Sequence, residues 1–364
     1  MAKQNTPSLL PDEGDDLHAK RRQQFLYGAL YKNVRAELEE SIKVRSHSVL
    51  HRDLDPYYRV TAQQGVYSNT FWLWMSEYTA GENLDTLAQS FSSVVDEFVH
   101  WNELNVPFRL YLKEKYKEEG DTDLRICAVD FNNQIEYENA LQLISIAIMI
   151  RDGRSIKRII AAMYSNRHLD ALYEQLILDY VNDPQEDMEE VLFEKPYAAL
   201  IEAYFQESHE AAIPHVQSYL KQWYRYQDGA RWYDAHKKIQ EDTAFYYGYW
   251  AFEAGATCFL LGLDDSTIDH MVYPKDLVAY GRKLREENRV TSDFDTPLGL
   301  DGYPLSRLRC EAGQPCPQTG WWLTPAKANS RRHFKSGEIM PAFDGSSYGS
   351  TIWQWDIDQS APNN

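Results

Sequence analysis

The side chains best suited to acid–base chemistry are Glu253, Asp234 and His236, which belong to two aromatic segments of the sequence. Glu253 is the single charged residue of FYYGYWAFEAGATCFLLGL, residues 245–263, and WYDAHKK, residues 232–238, contains the other two. Two carboxylates on either side of a glycosidic bond form the acid/base pair of inverting glycosidases. The competing interpretation is a buried pair that fixes how two helices dock, because a buried carboxylate is costly unless it is hydrogen-bonded or paired. We favour the structural interpretation and expect no catalytic residue.

A zinc site is weakly indicated by the cysteines. Cys310 and Cys316 of CEAGQPC, with His333 further on, supply three candidate ligands, and the sequence offers no CxxC pair to complete a tetrahedral set. We therefore predict reduced thiols in a compact turn, and neither a metal nor a cofactor.

Two further acids, Asp264 and Asp265, follow shortly after Gly262, the glycine at which we expect the preceding helix to end. Acids at helix ends commonly serve as turn and cap residues, so this interpretation is preferred to metal ligation. The predicted structural core network consists of Asp234, His236, Glu253, Asp264 and Asp265.

The segment from residue 170 to residue 211 contains twelve acids and a single base, Lys195. Such a run usually lies on a solvated surface, but a high density of one sign also accelerates encounter with a basic partner. We predict that Asp170, Glu174 and Asp179 lie on faces that meet solvent or a partner. The candidate aromatic anchors are Tyr197, Tyr204, Phe205, Trp223 and Tyr224. The predicted partner-binding set is Asp183, Glu186, Asp187, Glu189, Glu190, Glu194, Glu207 and Glu210.

The composition bounds the class of protein. The chain has 364 residues, a formal net charge of −18 and 43% hydrophobic residues, which is sufficient for folded domains and too apolar for a disordered chain. The negative charge disfavours direct binding to nucleic acid. The longest apolar run, residues 140–150, is too short to cross a bilayer, and residues 1–16 lack the core of a secretory signal. We expect a soluble cytoplasmic protein without membrane contact, and a homodimer is left open.

Helical periodicity predicts a mainly α fold of two helical blocks with a small β-containing appendage. Apolar residues in 84–98 recur at three- and four-residue steps, as one buried helix face requires. Small residues recur similarly in 245–263, so we predict a central buried helix with a narrow seam for a second helix. TGWWLT and STIWQW indicate strands near the C-terminus. The predicted domains are a flexible tail (1–18), two helical domains (19–164 and 165–290) and a β/turn-rich appendage (291–364).

Several motifs in the second helical block resemble the C-terminal domain of PoNi-type immunity proteins. WYDAHK, GYWAFEA, LDDS and YPKDL occur in the order and spacing of that family, and the resemblance covers roughly residues 165–285. The block that contains YTAGENLDTL is similar to the companion N-terminal domain. The segment from CPQTGWW to STIWQWD resembles an appendage found on some toxin-immunity proteins.

The resemblance implies an all-helical bacterial protein made beside a secreted polymorphic toxin, typically a DNase delivered by contact-dependent routes such as type VI secretion. Such a protein binds its cognate toxin, here expected to carry a basic nuclease domain, and protects the producing cell. Two other functions stay open. One is an enzyme that uses Glu253 and Asp234, either a carbohydrate hydrolase or an activity that reverses a toxin's modification. The other is a scaffold that docks through its C-terminal appendage.

Overall fold

The computed structural model describes residues 16–50, 56–115, 128–181, 184, 188–230, 232–237, 246–291, 309–317, 319–324, 327, 330–343 and 351–355. These residues divide into a helical unit, up to residue 180 and from 188 to 291, and a β unit, residues 181, 184 and those from 309 onward. The predicted fold class, mainly α with a small β-containing appendage, is confirmed. The domain boundary predicted between residues 164 and 165 stays a prediction. Residues 1–15 of the predicted tail lie outside the described residues.

The helical unit begins with a short helix and three long ones that pack side by side. They are α1 (Asp16–Lys20), α2 (Gly28–Leu50), α3 (Pro56–Ala80) and α4 (Leu84–Lys115). The Arg59 side chain at the start of α3 donates to the carbonyl of Val49 near the end of α2, so these two helices form a hairpin. The buried face predicted for residues 84–98 is confirmed, because Phe91, Val95 and Phe98 are fully buried.

Four helices form the centre of this unit: α5 (Gln134–Met149), α6 (Gly153–Ala162), α10 (Phe252–Leu261) and α11 (Lys275–Glu286). Almost every side chain of α5 from Tyr137 onward is buried. A Cβ atom at Gly255 of α10 would lie 2.7 Å from Pro274 Cγ and 3.0 Å from Met149 Sδ. The glycine therefore permits an approach that a larger residue would prevent, as the small-residue seam predicts at this position.

The helix predicted over residues 245–263 is wrong in its first half, because α10 begins at Phe252 and residues 246–251 have no regular secondary structure. Gly248 has a positive φ of 113°, which interrupts any helix at this point. Buried polar side chains take the place of helical hydrogen bonds: Gln23 bonds to both the N–H and the carbonyl of Tyr249, and Thr79 donates to the carbonyl of Tyr247. The predicted end is confirmed, since Gly262 has the left-handed φ of 66° that closes a helix.

The remaining helices of the unit are α7 (Ala171–Ile177), α8 (Glu194–Ile201) and α9 (His209–Trp223), with a 3₁₀ turn at Glu202–Phe205 between the last two. Ser208 caps α9, because its side chain accepts a hydrogen bond from the N–H of Ala211 at 3.2 Å. Across the ranges given above, no helix is long and apolar enough to cross a membrane.

The β unit contains a four-stranded antiparallel sheet in the order β1-β4-β2-β3. The strands are β1 (Arg309–Glu311), β2 (Gly320–Leu323), β3 (Arg332–Phe334) and β4 (Ile352–Trp355), so the strands predicted from TGWWLT and STIWQW are confirmed. One face of the sheet carries the unit's own core, which consists of Cys310, Cys316, Trp322, Phe334, Met340 and Trp353.

Candidate functional site

Exposed carboxylates cluster in the part of the chain that leads into α8 and α9. The described members of the predicted partner-binding set are all exposed: Glu189, Glu190, Glu194, Glu207 and Glu210. Glu202, on the 3₁₀ turn between the two helices, is exposed as well. Asp183, Glu186 and Asp187 lie outside the described residues. We call the six exposed glutamates the acidic surface.

The position of Glu210 in the first turn of α9 suits a negative charge, because the free N–H groups there carry a partial positive charge. Its own backbone N–H and the Ser208 side chain lower the pKa of the Glu210 carboxyl. This carboxylate is thus ionised at neutral pH and fixed at a helix start.

The first residues of the acidic surface are held in place by Asp170, which is itself fully buried. Its Oδ1 accepts hydrogen bonds from the N–H of Tyr173 and from the Tyr137 hydroxyl, each at 2.8 Å, and its Oδ2 accepts one from the N–H of Leu192 at 3.0 Å. The carbonyl of Glu190 in turn accepts from the N–H of Ala171 at 2.8 Å. The prediction that Asp170 meets solvent or a partner is therefore wrong, because this aspartate caps α7 and anchors the acidic loop from inside.

The same prediction is wrong for Glu174, which is fully buried in an ion pair. Arg167 Nε lies 2.9 Å from Glu174 Oε1, and both side chains are buried. The N–H of His168 donates to the same carboxylate at 2.7 Å. The sequence pattern places Glu174 between apolar positions, which is typical of a surface residue. Its ion pair with Arg167 stabilises a buried position instead.

Among the candidate aromatic anchors, the structure exposes Phe205. Tyr197 and Trp223 are fully buried, and Tyr204 and Tyr224 are half-buried. Phe205 is 42% exposed and lies in the chain between Glu202 and Glu207. The Tyr204 hydroxyl donates to Thr257 Oγ1 of α10 at 3.1 Å, which fixes the turn that presents Phe205.

Glu253 is buried in the core of the helical unit, with 1% of its surface exposed. Its Oε1 accepts hydrogen bonds from the Tyr219 hydroxyl at 2.5 Å and from Trp223 Nε1 at 3.0 Å. Its Oε2 has no hydrogen-bond partner within the described part of the chain. Burial raises the pKa of Glu253 to about 7, although its two donors act in the opposite direction.

A second buried carboxyl group, Glu138 of α5, belongs to the same region. Gln142 Nε2 donates to its Oε1 at 3.2 Å. Burial raises the pKa of Glu138 well above its usual range, and the nearby charge of Glu253 raises it further. The sequence does not single out Glu138 and does not pair Glu253 with its two donors, although Tyr219 and Trp223 are four residues apart on α9 and so face the same side.

Asp234 and His236 form a separate, half-buried network next to Tyr249. Asp234 Oδ1 accepts from the Tyr224 hydroxyl at 2.6 Å and pairs with Lys237 Nζ at 2.9 Å, and these partners lower the pKa of Asp234. His236 Nδ1 lies 2.7 Å from the Tyr249 hydroxyl. Partial burial lowers the pKa of His236, so its ring is neutral at pH 7. Asp234 shares no hydrogen-bond partner with Glu253 in the described residues.

A small cavity lies next to Gln142 and Trp223, which donate hydrogen bonds to the two buried carboxyl groups. A cavity of about 10 Å³ is lined by Met75, Asn139, Gln142, Trp223, Trp232, Tyr247, Gly248 and Trp250. This volume accommodates about one water molecule. A hydrolase that used these carboxylates would need room for a sugar ring, and this cavity does not offer it.

The two remaining members of the predicted core network lie at the end of α10. Asp264 is exposed, and its Oδ1 accepts from the N–H of Ser266 at 3.0 Å in a tight turn. Asp265 is buried and binds Arg282 Nη1 at 2.5 Å and the Tyr273 hydroxyl at 2.6 Å. Both contacts tie the end of α10 to the segment around α11.

The cysteines and histidine considered for zinc are in different surroundings. Cys310 and Cys316 are buried in the core of the β unit, whereas His333 is exposed on β3 with its ring against Trp321. Among the described residues, no group of three or more His, Cys, Asp or Glu side chains could hold a metal ion.

Residues 168–277 match the family model of PoNe immunity proteins (PoNi), C-terminal. The matched range contains α7 to α10, the described acidic surface, Glu253 and the motifs WYDAHK, GYWAFEA, LDDS and YPKDL. The match identifies residues 168–277 as a C-terminal domain of the PoNi immunity family, as the motifs of this segment predict.

A solved structure shares the architecture: the crystal structure of protein PA2201 from Pseudomonas aeruginosa matches with a TM-score of 0.55 and 20% sequence identity. The match covers 72% of this chain and 91% of that chain. At this identity the similarity shows the fold alone. The comparison with curated proteins found no match.

Proposed function

We propose that this protein neutralises a secreted antibacterial toxin, a DNase with a basic nuclease domain, by binding it through the acidic surface in the bacterial cytoplasm. The observation that carries the proposal is the set of six exposed glutamates between residues 189 and 210. Lys195, the one lysine or arginine in this stretch, lies 5.6 Å from the ring of Tyr226, so negative charge is in large excess between residues 189 and 210. In this proposal the protein binds neither nucleic acid nor a membrane.

Charge of one sign acts mainly on the rate of association, because it raises the frequency of productive encounters with a basic partner. Affinity requires an apolar contact that excludes water as well. Phe205 supplies that contact, since it projects from a turn that carries Glu202 and precedes Glu207. The proposed toxin surface therefore combines Lys and Arg side chains with an apolar pocket.

The test uses the toxin encoded by the neighbouring open reading frame and the full-length immunity protein. Reversing Glu189, Glu190, Glu194 and Glu207 to lysine should slow association at least about tenfold at low salt and make protection salt-sensitive. A matched control reverses four exposed acids elsewhere: Glu37, Glu103, Asp269 and Glu286.

Both variants change the net charge equally, so a difference between them reports the location of the charge. Unchanged association and unchanged protection for the first variant would exclude the acidic surface as the toxin site. Equal slowing in both variants would show a general charge effect without a specific face.

A second candidate function, an enzyme, is favoured by the burial of Glu253, which raises the pKa of this carboxyl group to about 7 and so suits it to a general acid or base. The deep burial of this carboxyl group and the small cavity beside Trp223 argue against it. A Glu253→Gln variant that folds, binds toxin and still protects cells would reject catalysis by Glu253.

Deleting residues 295–364 tests the third candidate, a scaffold that docks through its C-terminal appendage. Loss of a docking partner with protection retained would assign the scaffold role to the appendage.

A further inference from the structure

The loop that leads into α8 exposes acidic side chains and has an irregular backbone. Residues 188–193 have no regular secondary structure. Glu189 and Glu190 of this loop are exposed, and Glu194 follows as the first residue of α8. Since a loop lacks the hydrogen bonds of a helix or a sheet, its conformation depends on the partners that its backbone finds elsewhere in the fold.

The start of α7 supplies two of these partners. The N–H of Leu192 donates to Asp170 Oδ2 at 3.0 Å, and the carbonyl of Glu190 accepts from the N–H of Ala171 at 2.8 Å. Two consecutive residues, 170 and 171, therefore bind the loop backbone directly beside the exposed glutamates.

Tyr137 of α5 connects the loop to the same aspartate. Its ring packs against the ring of Phe193, with 5.2 Å between centroids, and its hydroxyl donates to Asp170 Oδ1 at 2.8 Å. Both Tyr137 and Asp170 are fully buried, so these contacts are shielded from water. The loop is thus fixed at residues 190, 192 and 193.

We propose that Asp170 is a positioning residue for toxin binding: its carboxylate holds residues 188–193 in the conformation that presents Glu189 and Glu190 to the toxin. This inference rests on the proposed function of the acidic surface. When a binding loop adopts several conformations, the apparent affinity is reduced by the fraction of molecules in the competent one. Asp170 itself is buried and acts only through the loop.

Asp170→Asn separates the loop contact from the cap of α7. With its oxygen toward Tyr137 and the N–H of Tyr173, asparagine keeps two of the hydrogen bonds, and it is a good N-cap. Its amide group cannot accept from the N–H of Leu192, so the loop loses this bond. Hydrogen exchange of the Leu192 amide should accelerate at least about tenfold, whereas the Tyr173 amide should stay protected.

The second measurement is toxin binding by the full-length protein, with the toxin encoded by the neighbouring open reading frame. Asp170→Asn should raise the dissociation constant at least about fivefold. Asp152→Asn is the matched control, because Asp152 is also buried and accepts from the N–H of Ser155 at 3.0 Å at the start of α6. It removes the same charge and alters a helix cap, but it does not contact the loop, so toxin binding should be unchanged.

Phe193→Ala provides a second variant in case Asp170→Asn does not fold. It loosens the same loop at its aromatic contact and leaves the cap of α7 intact, so it should also raise the dissociation constant. Thermal unfolding of every variant shows which of them are folded.

Several results would overturn the inference. They are unchanged exchange of the Leu192 amide in Asp170→Asn, toxin binding equal to wild type in both loop variants, and equal weakening in Asp152→Asn. The lysine reversal of Glu189, Glu190, Glu194 and Glu207 distinguishes this failure from failure of the proposed function. If the reversal weakens binding and the loop variants do not, the positioning role is rejected and the acidic surface is retained. If the reversal has no effect, the acidic surface is excluded and the positioning role with it.

Discussion

Replacing Glu253 with glutamine should flatten the pH dependence of folding stability between about pH 4.5 and pH 7. The folded-state pKa of Glu253 is raised to about 7 from an ordinary value of 4.5, because the carboxyl group is buried with one oxygen unpaired. Below pH 4.5 the group is protonated in both the folded and the unfolded state. Between pH 4.5 and pH 7 the unfolded state releases its proton while the folded state keeps it, so the free energy of unfolding decreases as the pH rises.

The size of this effect follows from the interval between the two pKa values. At about 1.36 kcal/mol per pH unit, the interval from 4.5 to about 7 corresponds to about 3 kcal/mol. The stability contribution is complete below about pH 4.5 and is lost by about pH 7.5. Glutamine keeps the shape and one acceptor oxygen for Tyr219 and Trp223 but does not titrate.

The assay is urea unfolding of the full-length wild type and the Glu253→Gln variant at several pH values from 4.5 to 8. The difference in their free energies of unfolding should shift by about 3 kcal/mol in favour of the variant across this range. Glu202→Gln is the control, because it makes the same chemical change at an exposed carboxyl group. If the difference in free energy of unfolding between wild type and Glu253→Gln stays constant with pH, the reasoning is refuted. That result would mean that Glu253 has an ordinary pKa and a solvated site.

Three further substitutions test how the helical unit is held together, each by thermal or urea unfolding. Gly255→Ala should lower the free energy of unfolding by about 1–3 kcal/mol, because the added Cβ would clash with Pro274 and Met149. Gly229→Ala is the control: its Cβ would meet nothing within 4 Å, so its stability should stay within about 0.5 kcal/mol of wild type. Arg167→Met should lower the free energy of unfolding by about 3–5 kcal/mol, because it leaves the buried Glu174 without its positive partner. Adding Glu174→Leu should restore most of this stability, and a double variant as unstable as Arg167→Met would contradict the ion-pair explanation. Ser208→Ala should cost about 1 kcal/mol by removing the cap of α9, and an unchanged midpoint would show that the cap does not contribute.

The position of Asp170 links the stability of the fold to the proposed binding surface. Its carboxylate joins the start of α7, the Tyr137 hydroxyl and the loop that contains Glu189 and Glu190. A binding loop held from inside loses less conformational freedom when a partner docks, which favours affinity. The buried acids of this segment thus support the exposed ones.

The sequence by itself determined the features that depend on local chemistry. The periodic face of residues 84–98, the helix end at Gly262, the strands around TGWWLT and STIWQW, and the motifs of the immunity family can all be recognised from neighbouring residues. Each depends on side-chain spacing or backbone preference within about twenty residues, so no distant contact was needed to predict it.

Tertiary structure alone decided which acids and aromatics reach solvent and where the central helix begins. Asp170 and Glu174 have the spacing of surface residues, but Tyr137 and Arg167 bury them. Residues 246–251 have helical spacing, but Gln23, more than two hundred positions away, binds their backbone instead. A buried polar group must find a partner wherever one is available, so its partner in the fold, and not its neighbours in sequence, sets its conformation and exposure.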